Sequence, residues 1–293
     1  MRIGRLLGAI GVVIAFVASG CGVESSPHLE IVARDFAFSG APQTITGGPT
    51  TVTFRNDGKA HHEMAFVGVG DTSLETFTRE FPPVLEGGPF PKWFTAAAVP
   101  FDLEPGKSAT TTFTLAPGKY LLMCALNDQP GPQDDEQQSD APPHFTLGMA
   151  QSVTVEGETD ELPARGGEVV AKDYTFETSG LKPGRNEVVF RNDGPKQVHF
   201  GELFEFPAGV TEAQALDAFN KVVASPEGEP PPAGLPEPET IAFSGIYSAG
   251  LGGTWDFTLK GGRTYLLACF IQDLTGGPPH AIGNNMLTTF TVG

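Results

Sequence analysis

The feature of this sequence that most constrains its fold is an internal repeat. Five blocks occur twice and in the same order: VARDFAF and VAKDYTF, VTFRNDG and VVFRNDG, PGKYLLMC and GGRTYLLAC, PPH and PPH, VTV and FTV. Partner blocks lie 136 to 145 residues apart, which is the length of an ordinary domain. We therefore expect two copies of one domain at residues 28–156 and 167–293, joined by an acidic linker at 157–166.

Each copy has the pattern of an all-β domain. The segments TTVTFRN and NEVVFRN alternate apolar and polar residues, as half-buried strands do, and an NDG turn follows both. Glycine and proline make up 63 of the 293 residues (37 plus 26), which favours short strands joined by many turns. A helical segment interrupts each copy, at 72–81 and at 211–224, where Thr211 and Gln214 fit a capping box. The sequence predicts two tandem Greek-key β-sandwiches, each with a short helical insertion.

The N-terminus has the pattern of an export signal over residues 1–20. Two arginines precede an apolar stretch, 6–17, that is too short for a membrane span. The small residues before Cys21 resemble the end of a bacterial lipoprotein signal, which implies that Cys21 is the lipidated first residue of the mature chain. An ordinary secretory signal cut near Ala18 is the alternative. We expect a tether at 21–27 and an extracytoplasmic protein anchored to the bacterial cell membrane by lipid.

The charge of the chain limits its partners. The formal net charge is −17, and loss of the signal with its two arginines brings it to −19. Such an acidic chain repels nucleic acid, so we predict no nucleic-acid partner. The charge either attracts cationic partners or keeps an exported protein soluble.

Both copies contain the same ordered set of side chains that can bind a metal. A histidine follows the RNDG turn, a cysteine ends the penultimate strand, and a histidine and then a methionine precede the last strand. The first set is His61 or His62, Cys124, His144 and Met149, and the second set is His199, Cys269, His280 and Met286. Two imidazoles and a thiolate, with a weak thioether above their plane, form the ligand set of blue copper sites.

The segments NDGKAHHE, APGKYLLMC and PPHFTLGMAQSVTV resemble the cupredoxins, and in particular the small cupredoxin-like domains of bacterial lipoproteins. The resemblance covers nearly all of the mature chain, twice. It implies a type 1-like copper ion at each of the two sets. For the first imidazole, His62 aligns with His199, whereas His61 lies at the plastocyanin distance from the preceding glycine. We favour His62.

The sequence departs from the ordinary blue copper pattern in its ligand loops. Nineteen residues separate Cys124 from His144 and ten separate Cys269 from His280, where the family pattern has only a few. The second copy also places Met286 one residue further from its histidine. A metal-free cupredoxin fold that acts as a structural or binding module is therefore the alternative, and a disulfide between Cys124 and Cys269 is a third possibility.

The expected function is copper binding, for one-electron transfer or for holding copper, with a redox or copper-donor protein as partner. The chain contains six histidines, and four of them fit the repeated positions. Cupredoxin-based oxidases and nitrite reductases need further histidines for a second copper centre. The sequence therefore predicts that the protein is not an enzyme.

Overall fold

The first copy folds into nine strands in two facing sheets. The computed structural model describes residues 28–127, 141–225 and 232–293. The strands are β1 (His28–Arg34), β2 (Ala37–Ser39), β3 (Thr44–Thr46), β4 (Gly48–Asn56), β5 (His62–Gly68), β6 (Ala97–Leu103), β7 (Ser108–Leu115), β8 (Gly118–Met123) and β9 (Ala150–Glu156). One sheet has the order β2-β1-β4-β7 and the other the order β6-β5-β8-β9-β3. Burial alternates along β4, because one face of its sheet covers the core.

The second copy repeats this arrangement. Its strands are β10 (Gly167–Lys172), β11 (Thr175–Ser179), β12 (Gly184–Asn192), β13 (Glu202–Glu205), β14 (Glu239–Phe243), β15 (Ile246–Tyr247), β16 (Gly252–Leu259), β17 (Thr264–Ala268) and β18 (Leu287–Thr291). They form the orders β11-β10-β12-β16 and β14-β13-β17-β18, with β15 apart. The chain crosses from one sheet to the other several times in each copy, so the predicted tandem β-sandwich architecture is confirmed.

Short helices interrupt both sandwiches, and two of the five in the described residues lie at the predicted places, 72–81 and 211–224. They are α1 (Leu74–Glu80), α2 (Pro82–Leu85), a 3-10 helix (His144–Leu147), α3 (Glu212–Val223) and α4 (His280–Gly283). The capping box of Thr211 and Gln214 starts α3, as predicted. Within the described ranges, no helix is long and apolar enough to cross a membrane. The predicted signal, Cys21 and the tether lie outside the described residues.

The two sandwiches share their sheets. Strand β16 of the second copy pairs with β7 of the first through Gly253 and Phe113, which makes one eight-stranded sheet. On the other side, β15 pairs with β6, opposite Val99 and Ala98. A glycine suits this crowded position, because a Cβ atom at Gly253 would lie 2.0 Å from the Tyr247 hydroxyl oxygen on β15 and 3.3 Å from Cβ of Phe113 on β7. The repeat alone did not predict that its two copies would be joined in this way.

Candidate metal centres

Three side chains of the first copy converge at one end of its sandwich. The Cys124 sulfur lies 3.4 Å from Nδ1 of His144 and 3.9 Å from Nδ1 of His62. The two Nδ1 atoms are 3.2 Å apart. All three side chains are fully buried. The cluster therefore gathers two ring nitrogens and one sulfur around a common point, away from solvent.

The second copy builds the same cluster from its own residues. The Cys269 sulfur lies 3.6 Å from Nδ1 of His280 and 3.8 Å from Nδ1 of His199, and all three side chains are fully buried. In each cluster, one donor atom from every residue lies within 4.8 Å of the others. These two are the groups of three or more metal-donor residues that the described part of the chain contains.

The donor spacings match a trigonal metal site. With metal–donor distances of about 2.0 Å for imidazole nitrogen and about 2.3 Å for thiolate sulfur, a flat trigonal site puts its nitrogens about 3.5 Å apart and each about 3.7 Å from the sulfur. The first cluster has 3.2 Å between its nitrogens, and 3.4 and 3.9 Å from nitrogen to sulfur. The residues present fit a single small ion with a His₂Cys ligand set.

Each cysteine receives backbone hydrogen bonds on its sulfur. The N–H of Glu63 lies 3.3 Å from the Cys124 sulfur, and Leu126 also donates to it. Phe200 and Ile271 donate to Cys269 in the same way. Burial nevertheless raises the pKa of the Cys124 thiol and raises that of Cys269 to about 11. Both cysteines are free and protonated without metal, so a bound cation must displace the thiol proton.

The RNDG turn holds the first histidine of each cluster. The buried Asn56 amide donates to the carbonyls of Ala60 and Leu103 and accepts the N–H of Gly58. This fixes the short loop that leads into β5, whose first residue is His62. Asn192 makes the equivalent bonds in the second copy, to Gln197, Tyr247 and Gly194. The repeated asparagine is therefore part of the scaffold of both sites.

The same backbone bonds close both ligand loops, despite their different lengths. The N–H of His144 donates to the Leu126 carbonyl at 2.8 Å, and that of His280 donates to the Ile271 carbonyl at 2.9 Å. The residue after each histidine then donates to the carbonyl of the cysteine, at 2.9 and 2.8 Å. The additional residues of the first loop lie between these fixed ends. Loop length is therefore compatible with two equal donor clusters.

Both predicted methionines lie beside the clusters. Met149 and Met286 are fully buried. The Met149 carbonyl accepts the N–H of Cys124 at 3.3 Å, and the Met286 carbonyl accepts the N–H of Cys269 at 3.2 Å. The contact is the same in both copies despite the extra residue in the second, and the residue just before the methionine has a positive φ in both, Gly148 (φ 111°) and Asn285 (φ 55°). Their role as ligands stays a prediction.

His61 does not join the cluster. Its ring forms an ion pair with Asp102, and about a third of its side chain (32%) is exposed. His62 is the histidine that the structure brings to Cys124. Adjacent residues at the start of a strand point to opposite faces, so only one of the pair can face the core.

The imidazoles of His62, His199 and His280 favour the neutral form. Burial lowers the pKa of His62, helped by the nearby His144 ring. Burial and the nearby His280 lower the pKa of His199 to about 4. Burial also lowers the pKa of His280, against the opposing effect of Asp273. A neutral imidazole keeps one lone pair, which a metal ion requires.

Sequence reasoning missed three carboxylates behind these rings. Asp35 lies 3.3 Å from Nε2 of His62, Asp173 lies 3.4 Å from Nε2 of His199, and Asp273 lies 3.0 Å from Nε2 of His280. Asp35 and Asp173 occupy the same position of the repeated blocks VARDFAF and VAKDYTF. The sequence signal was therefore an aspartate retained in both copies.

Comparison with solved structures gives likenesses to blue copper proteins. An auracyanin from Roseiflexus castenholzii is 26% identical over 45% of this chain and 99% of its own, with a TM-score of 0.29. Auracyanin A, a blue copper protein from Chloroflexus aurantiacus, is 20% identical over 45% of this chain and all of its own, with a TM-score of 0.30. The blue copper oxidase from Nitrosomonas europaea is 12% identical over 92% of this chain and 86% of its own, with a TM-score of 0.25.

No protein-family model and no curated protein matches the sequence. Because the TM-scores above are below 0.5, the assignment of the fold depends on the strand topology and the paired donor sets of the chain itself. Two β-sandwiches in tandem, each with a buried His-Cys-His cluster at one end, give this chain a fold of two tandem cupredoxin-like domains.

Proposed function

We propose that the protein binds one copper ion in each of its two sandwiches and passes single electrons outside the cytoplasm. The observation that carries the proposal is the buried His₂Cys cluster, which occurs twice with nearly equal spacings. Thiolate and imidazole together suit both Cu(I) and Cu(II), and a bound copper ion would supply a one-electron couple. His62, Cys124 and His144 would hold the first ion, and His199, Cys269 and His280 the second.

The methionines complete the proposed ligand sets. A thioether is a weak ligand that serves as the axial group of blue copper sites. Met149 and Met286 are buried and tied to the cysteine backbones, which supports this role. The chain's own contribution is a rigid, dry donor set that needs little rearrangement between two charge states.

Burial of the donors favours electron transfer over copper delivery. The four histidine and two cysteine side chains of the two clusters have no exposed surface, so an acceptor protein cannot reach them to exchange ligands. Electrons need no such access. A non-catalytic role is part of the proposal, and the small number of histidines supports it, because four of the six in the chain belong to the two clusters.

We further propose that Cys21 carries lipid and keeps the protein at the outer face of the bacterial cell membrane. The signal-like residues before it support this proposal. The redox partner would meet a strongly acidic protein, since the net charge without the signal is −19. We propose 28–156 and 167–293 as the limits of the two domains, with 157–166 as the linker.

Copper titration of the metal-free protein tests the proposal. We expect two copper ions per chain and an intense visible band from thiolate-to-Cu(II) charge transfer. Cys124→Ser and Cys269→Ser should each remove one ion and its share of the band, and the double variant should remove both. The matched control is Cys21→Ser, which should keep both ions and the band but lose membrane attachment in cells.

The other outcomes identify the alternatives. Absence of bound copper by elemental analysis would contradict the metal proposal and leave a metal-free binding module. Tight Cu(I) binding without the visible band would contradict electron transfer and favour copper holding.

A further inference from the structure

A two-residue turn touches both imidazoles of each cluster. In the first copy the turn is Asp35–Phe36, and in the second it is Asp173–Tyr174, at the same place in the repeated blocks. Phe36 has φ 64° and Tyr174 has φ 67°, which is left-handed backbone that bulky residues rarely adopt. Strain of this kind persists only where the surrounding structure imposes it, and it concentrates at functional sites. Its occurrence at equivalent positions in both copies points to a shared purpose.

The aspartate of the turn reaches the first histidine. Asp35 Oδ1 accepts the N–H groups of Lys59 at 2.7 Å and Ala60 at 3.1 Å, and it also lies 3.3 Å from Nε2 of His62. The backbone bonds hold the carboxylate in place. A carboxylate only accepts hydrogen bonds, so Nε2 of the ring must carry the proton. Nδ1 is then left with its lone pair, on the side of the ring that faces Nδ1 of His144 at 3.2 Å and the Cys124 sulfur at 3.9 Å.

The aromatic residue of the turn reaches the second histidine. The Phe36 ring meets the His144 ring edge-on, with centroids 5.0 Å apart and planes at 69°. The Tyr174 ring meets the His280 ring with centroids 5.3 Å apart and planes at 80°. Both aromatic side chains are half-buried, whereas both histidines are fully buried. The aromatic ring therefore covers the histidine on its outer side and limits its rotation.

We propose that Asp35, Phe36, Asp173 and Tyr174 are positioning residues: the aromatic residue of each turn orients the second imidazole of its cluster, and the aspartate orients the first imidazole and fixes the ring tautomer that leaves its Nδ1 free for metal. This inference rests on the proposed copper-binding function for its purpose, but the orientation itself is a property of the metal-free chain. A carboxylate bonded to the outer nitrogen of a ligand histidine also makes the imidazole a stronger donor to metal.

In the second copy the turn residue Tyr174 also makes a hydrogen bond, through Asp273, that links it to His280. The Tyr174 hydroxyl donates to Asp273 Oδ1 at 2.8 Å, and the same oxygen lies 3.0 Å from Nε2 of His280. Phe36, the equivalent of Tyr174, has no hydroxyl to offer. The hydrogen bond from Tyr174 reduces the negative charge on the Asp273 carboxylate. Asp273 therefore increases the donor strength of the His280 imidazole less than it would without Tyr174. We therefore infer that Tyr174 raises the reduction potential of copper in the second site alone.

Nitrogen NMR of the metal-free protein tests the positioning. We expect His62, His199 and His280 each to show one tautomer, protonated at Nε2. Asp173→Ala should turn His199 into a mixture of tautomers and leave His62 unchanged, while Asp35→Ala should do the reverse. Asp173→Asn, which keeps the shape of the side chain, should give a smaller effect. The control is Asp256→Ala, an exposed aspartate (side chain 59% exposed) on β16.

Copper binding provides the second measurement. Asp173→Ala should weaken copper binding at the second site about 10- to 100-fold, the usual effect of losing a carboxylate behind a ligand histidine. Tyr174→Phe should lower the potential of the second site and leave the first unchanged. Unchanged tautomers in the aspartate variants would overturn the inference, even if copper binds. Fixed tautomers in a protein that binds no copper would uphold the positioning and overturn only the proposed function.

Discussion

Gln272 of the second ligand loop donates a hydrogen bond to the Val84 carbonyl of the first domain, at 2.8 Å. Two residues further on, the Leu274 carbonyl accepts the N–H of Phe90 at 2.9 Å. The loop between Cys269 and His280 is thus held by the helical insertion of the other sandwich. The ligand loop of the second cluster is therefore held by the neighbouring sandwich as well as by its own domain.

This anchoring predicts the effect of Gln272→Ala. Loss of one buried hydrogen bond frees the loop at a cost of about 0.5–1.5 kcal/mol. Copper affinity at the second site should therefore fall about 2- to 12-fold. The first site in the same molecule is the control and should keep its affinity. Equal losses at both sites, measured by competition with a Cu(I) chelator, would mean that the bond supports the whole fold instead.

Shortening the first ligand loop should preserve its site. Replacing residues 127–143 by residues 272–279 reduces the separation of Cys124 and His144 from nineteen residues to ten. Because the bonds of the loop ends are equivalent in both copies, we expect copper to bind unchanged. The shorter loop loses less entropy and should stabilise the protein by about 0.6 kcal/mol in urea unfolding. Loss of copper from the grafted site, with the fold intact, would show that the longer loop contributes to the site.

Met149→Leu and Met286→Leu should change the potential without removing the metal. Leucine has a similar volume, so each variant should cost less than about 1.5 kcal/mol of stability. Removal of a weak donor destabilises Cu(II) more than Cu(I), which raises the reduction potential of that site. Voltammetry of each variant checks this. An unchanged potential would assign the methionine to core packing alone.

The metal-free protein should lose stability as the pH falls from about 6.5 to about 4. In this window His199 binds a proton when unfolded, with an ordinary pKa of 6.5, but not when folded, where burial and His280 lower its pKa to about 4. The unfolded state then binds more protons, so acid favours unfolding, at up to about 1.4 kcal/mol per pH unit. The lowered pKa values of His62 and His280 act in the same direction.

Titration of Glu63 changes the stability in the opposite direction over part of this pH range, so the measurement should use a variant without this carboxylate. Burial raises its pKa to about 7 from 4.5, so the folded state binds more protons between these values and loses stability as the pH rises. We therefore expect the steepest loss towards acid in metal-free Glu63→Gln. Adding His199→Gln should flatten the curve of unfolding free energy against pH. A flat curve in Glu63→Gln itself would contradict the neutral buried state of the histidines.

Local patterns in the sequence predicted the elements and the order of the donors. Alternation in TTVTFRN gave β4, and the capping box of Thr211 and Gln214 gave α3. The choice between His61 and His62 was harder, because a shift of one residue in strand register exchanges the two faces. Tertiary pairing resolves it: His62 lies opposite Leu103 on β6 and faces the core.

Long-range contacts account for what the sequence did not predict. The sandwiches are joined by two strand pairings between residues far apart in the sequence, Gly253 with Phe113 and Ile246–Tyr247 with Ala98–Val99. The glycine did not reveal the first, because a glycine in a strand can equally mark a bulge or a tight bend. Asp35 and Asp173 were visible only as members of repeated blocks, because their contacts to histidine span 27 and 26 residues. The hydrogen bonds that close the ligand loops join backbone atoms, so the types of the side chains did not indicate them.

The eight-stranded sheet has a consequence for any attempt to cut the protein in two. Separating the sandwiches would strip β7 of its partner β16, and β6 of β15. Each half would then present a bare strand edge with unsatisfied N–H and carbonyl groups, the kind of surface that recruits other chains into aggregates. In the intact protein each sandwich covers the strand edge of the other, and so protects it from aggregation through that edge.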